Sequence, residues 1–80
     1  MEQHTLEFGE SDHEIKLDGE VYMTARLLSE KFGLSANRIA RLARTGVVDE
    51  EFLGGRRFIS YSSLDRYLLD RQRKSARFLD

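Results

Sequence analysis

Eighty residues make one domain, and a chain this short buries only a thin core. It has no cysteine, which excludes disulfide and thiolate-metal staples, and no apolar run near the roughly 18 residues of a membrane span. The formal net charge of −1 argues against a uniformly basic nucleic-acid coat, but its distribution matters more than its total.

Residues 1–34 carry three Lys or Arg against eight Asp or Glu, net −5. Residues 35–80 carry ten against six, net +4. The N-terminus lacks the charged-then-apolar pattern of a secretion signal, so the chain is expected inside a cell, in the cytoplasm.

The N-terminal segment reads as β structure. Thr5-Leu-Glu-Phe8 and His13-Glu-Ile-Lys-Leu17 alternate polar and apolar residues, as half-buried strands do. Gly9 to Asp12 is turn-like. Asp18-Gly19 suits a tight hairpin turn, because both of its central residues need positive φ. Val21-Tyr-Met23 is the return strand. Residues 1–23 are thus expected to form an acidic β extension of two or three strands.

Two short helices should follow. Thr24 caps the first by accepting an orphan N–H, and Leu27, Leu28 and Phe32 form its stripe. Gly33 suits the left-handed residue that ends a helix. Ser35 caps the second helix, over residues 35–45. Its apolar stripe is Ile39, Leu42 and Ala43, and Gly46 ends it. Leu28, Phe32, Leu34, Ile39 and Leu42 sit at spacings that hold two helices across a tight turn, with Ser29 small where they approach. Asn37, Arg38, Arg41 and Arg44 point away from that stripe.

Val47 to Ile59 reads as two strands around Gly54-Gly55, with a loop of two residues or four. Two glycines let a hairpin tip approach another backbone closely. Ser60 or Ser62 caps a last helix carrying Leu64, Tyr67, Leu68 and Arg71 at i, i+3, i+4 and i+7. Residues 71–80 form a charged, helix-permissive tail ending in Phe78-Leu79.

The fold class expected is α+β: a small winged helix-turn-helix over residues 24–70 with an N-terminal β-hairpin extension. Such a unit docks on duplex DNA with its second helix in the major groove. Arg38 and Arg41 can each reach guanine O6 and N7, and Asn37 can reach adenine or a phosphate. Arg44 suits a phosphate. Arg56 and Arg57, in a wing over residues 53–59, can neutralise phosphates or enter a minor groove. This requires Arg38, Arg41, Arg56 and Arg57 on one face, with Ile39 and Leu42 buried behind it.

The segments Val21-Tyr-Met-Thr-Ala25, Gly33-Leu-Ser35, Leu53-Gly-Gly-Arg-Arg-Phe-Ile-Ser60 and Leu64-Asp-Arg-Tyr-Leu68 together resemble the excisionase-type and MerR-type winged helix-turn-helix domains. The resemblance covers roughly residues 20–70. It implies sequence-directed binding of double-stranded DNA by a transcription regulator, recombination accessory factor or architectural protein. Residue by residue it points to Asn37, Arg38, Arg41, Arg56 and Arg57.

No enzyme constellation is visible, and no cofactor or metal is expected. His4 and His13 read as solvated histidines, and Ser60, Ser62 and Ser63 as helix-capping residues. Gly54-Gly55 lacks the Lys-Ser/Thr of a phosphate-binding loop. The alternative reading is a protein-interaction or scaffolding module on the same fold. In it, the acidic N-terminal segment or the C-terminal tail supports self-association or holds a protein partner.

Overall fold

A computed structural model describes residues 6–8 and 12–79, with side chains over residues 12–73. His4, Thr5, the residues 9–11 turn and the side chains of the tail from residue 74 lie outside that description. The chain is α+β. Its elements are β1 (Leu6–Phe8), β2 (Glu14–Leu17), β3 (Glu20–Met23), α1 (Ala25–Phe32), α2 (Ala36–Arg44), β4 (Glu50–Leu53), β5 (Arg56–Ser60) and α3 (Tyr61–Leu79).

All five strands form one antiparallel sheet in the order β1-β2-β3-β5-β4. The N-terminal strands are therefore more than a hairpin extension. β3 pairs with β5 through Tyr22↔Ser60 and Met23↔Ile59, which joins them to the second hairpin. Both tight turns use two residues with positive φ: Asp18 (52°) and Gly19 (83°), then Gly54 (57°) and Gly55 (77°). That twist matches the strands' own, so a two-residue loop closes each hairpin.

Strand alternation gives the sheet two working faces. Met23 and Ile59 face the helices and join Leu28, Ile39, Ala43, Val48 and Leu64 in the main core. Ile15, Tyr22 and Phe58 form a second cluster, with Leu17 and Leu53 packed against it. The register places that cluster on the opposite face.

Local chemistry sets the helix ends. Thr24 Oγ1 accepts from Leu27 N–H at 3.4 Å, and Ser35 Oγ accepts from Arg38 N–H at 3.1 Å. Gly33, at φ 71°, ends α1 with its N–H on the Ser29 carbonyl. Ser29 Oγ donates to the Leu34 carbonyl, which locks the turn between α1 and α2. Thr45 is the C-cap of α2, and Gly46 follows it at φ 82°, the left-handed residue that ends the helix. Leu42 is only half-buried against the core, so Ile39 and Ala43 are the fully buried anchors of α2.

Ser60 caps α3, accepting from Ser63 N–H at 3.1 Å. Its own hydroxyl donates to Glu20 Oε1 at 2.6 Å, and Ser62 donates to the same oxygen at 2.9 Å. These two hydrogen bonds hold the Glu20 carboxyl below its ordinary pKa. Burial, with Glu20 close by, pushes the Tyr22 phenol up. Helix α3 runs 19 residues without a break, so the tail continues the last helix to Leu79.

Candidate nucleic-acid interface

Helix α2 presents one polar stripe. At 100° per residue, Asn37, Arg38, Arg41 and Arg44 fall within an arc of roughly 120°. Ile39 and Ala43 lie on the far side of the helix, in the core. All four polar side chains are exposed. Among the described residues, no carboxylate pairs with Arg38, Arg41 or Arg44. Packing one side of the helix on Leu28 and Ile59 thus leaves three uncompensated guanidinium groups on the other.

The hairpin arginines behave differently. Arg56 and Arg57 are consecutive in β5, so they project to opposite faces of the sheet. Arg57 shares the helix side with Phe52, its partner across the ladder, and its guanidinium lies 5.2 Å from the Phe52 ring centroid. Arg57 Nε is 2.7 Å from Glu50 Oε2. Both atoms are buried with no aligned hydrogen bond, so charge rather than a directed N–H···O holds this contact.

Arg56 turns to the other face. Its Nη1 donates to the Asp12 carbonyl at 2.9 Å, and its guanidinium lies 5.6 Å from the Phe58 ring centroid. The expectation of four arginines on one face is corrected here. A period of two residues cannot send neighbours in a strand the same way, and each hairpin arginine has an internal partner.

His13 also departs from the solvated reading. Its Nδ1 is 3.0 Å from Thr24 Oγ1, the cap of α1, and 3.4 Å from Arg56. Asp12, His13 and Arg56 therefore bind the second hairpin to the turn before β2. Sequence reasoning missed Glu50 as the partner of Arg57. A two-residue loop, once assumed, sets Phe52 opposite Arg57 and Glu50 two residues away on the same face. Nothing local reveals the contact of Arg56 with Asp12, which spans 44 positions.

Among the described residues, no group of three or more His, Asp or Glu side chains is placed to hold a metal ion. No helix there is long and apolar enough to cross a membrane. Compared with protein-family models, curated proteins and solved structures, the chain matches none.

Proposed function

We propose that this chain is a winged helix-turn-helix protein that binds duplex DNA sequence-selectively and without catalysis, as a small regulator, recombination accessory or architectural factor. The observation that carries the reading is the exposed Asn37, Arg38, Arg41 and Arg44 stripe, without a carboxylate partner among the described residues, on a helix anchored from behind by Ile39 and Ala43. In the major groove, Arg38 and Arg41 each offer the two-pronged donor that guanine O6 and N7 accept. Arg44, at the far end, neutralises a phosphate, and Asn37 serves an adenine or a phosphate. Arg56, exposed on the other face of the sheet and held by the Asp12 carbonyl, is a backbone contact of lesser weight.

One unit of this size covers a few base pairs, so useful affinity comes from several copies or a partner. The test is the affinity for a labelled duplex at two salt concentrations. Binding should weaken steeply with salt, by about 0.9 log-log units for each phosphate neutralised. Binding that ignores salt, or no binding at all, removes the reading.

A protein partner is the second reading. What favours it is an open groove of about 620 Å³ between the α2–β4 link and α3. Val47 and Leu69 line it, 49% and 48% exposed.

A further inference from the structure

The hairpin tip carries a large side chain that neither core absorbs. Phe52 is 57% exposed, the highest value among the large hydrophobic residues whose side chains the structure describes. It stands at the third position of β4, one residue before the tip sequence Leu53-Gly54-Gly55. An exposed aromatic ring in a solvated strand gains nothing from burial. This ring is nonetheless braced. The Arg57 guanidinium lies against it, and Glu50 holds that guanidinium in turn.

The charges around it are accounted for. Asp49, Glu50 and Glu51 outnumber Arg56 and Arg57, and both arginines have internal partners. This hairpin is poorly suited to act on DNA as a cluster of phosphate-neutralising cations. It is suited to present one exposed apolar ring beside a glycine tip that permits close backbone approach.

We infer that Phe52 is the hairpin's DNA contact, an apolar wedge that packs into the minor groove against deoxyribose or an opened base step. The inference rests on the duplex-binding reading of α2 and names the second point of attachment for it. Proteins that widen or kink a minor groove insert apolar side chains in this way. The arginines of α2 supply the charge, and the hairpin supplies shape and deformability readout.

The chain has no tryptophan, so Phe52→Trp installs a unique optical probe. A short duplex selected from a random pool is titrated with this variant, while anisotropy of a label on the duplex reports binding independently. Saturation should quench and shift the tryptophan emission. Phe52→Ala should weaken binding roughly tenfold, on the scale of a lost ring–base contact. It should leave the log-log salt slope unchanged, since the ring neutralises no phosphate.

Duplex binding by Phe52→Trp with unaltered emission, and by Phe52→Ala at wild-type strength, overturns the wedge and leaves the α2 reading standing. Loss of self-association by Phe52→Ala in sedimentation, with DNA affinity intact, assigns the ring to a protein contact and also overturns it. If the wild type binds no duplex, both readings fall together. Thermal melts of both variants establish that the fold is retained, and Phe52→Leu, expected to bind between wild type and Phe52→Ala, repeats the test if Phe52→Ala is unfolded.

Discussion

Glu50 and Arg57 stand diagonally across the β4–β5 ladder, with Oε2 2.7 Å from Nε. This contact decides what the hairpin can offer a polyanion. An arginine 29% exposed and paired with a carboxylate 23% exposed has little charge left to give a phosphate. The acid just before the hairpin is thus an internal counterion as well as a source of repulsion.

Glu50→Gln should release Arg57 and raise affinity for any duplex a few-fold, with the salt slope steepened by up to about 0.9. The pair is about three-quarters buried, so the melt should fall by the equivalent of about 1–3 kcal/mol. Anisotropy titrations at several salt concentrations give both numbers. Unchanged affinity and slope would mean that Arg57 stays away from DNA even when unpaired.

The core makes a graded prediction. Leu28 and Ile39 are fully buried where α1, α2 and the sheet meet. Leu28→Ala or Ile39→Ala should each cost roughly 2–5 kcal/mol. A small domain has about 5–15 kcal/mol in all, so either can approach loss of folding. Leu42→Ala, at a half-buried site, should cost about half as much or less. Denaturant melts rank the three, and an equal cost for Leu42 would contradict the burial described here.

Glu20 makes stability depend on pH in a defined direction. Hydrogen bonds from Ser60 and Ser62 lower its pKa in the folded state. Its contribution is therefore full above the unfolded carboxyl value near ~4.3 and is lost as pH falls through the lowered folded value. Glu20→Gln should cost about 1 kcal/mol at neutral pH, a typical net hydrogen-bond contribution. The gap from wild type should close in acid. A gap that is constant with pH would mean that the carboxylate charge plays no part in holding β3 to α3.

Much of this molecule was legible locally. The caps at Thr24 and Ser35, the left-handed Gly33, and the Asp18-Gly19 and Gly54-Gly55 turns each express chemistry within four residues of themselves. The polar stripe on α2 follows from helical period alone. What was not legible depends on pairing across distance. The union of β3 with β5 joins residues 22 and 60, and no short-range signal announces it. The two hairpin arginines looked like one basic patch because their opposite directions appear only once β5 is recognised as a strand through both of them. The helix-permissive tail runs on from the last apolar turn as one helix, because Arg, Gln, Lys and Ala all favour helix.

The most direct test of the account is competitive titration of Arg38→Ala and Arg41→Ala against a selected site and a scrambled duplex. Each should weaken binding to the selected site by about 1–3 kcal/mol and relax base preference at one or two positions, because a base-edge contact carries sequence information. Arg44→Ala should weaken both duplexes alike, because a phosphate contact carries none. The fold should survive all three changes, since these side chains are exposed. If Arg38→Ala and Arg41→Ala bind the two duplexes with the wild-type ratio, α2 does not read bases and the central claim is contradicted.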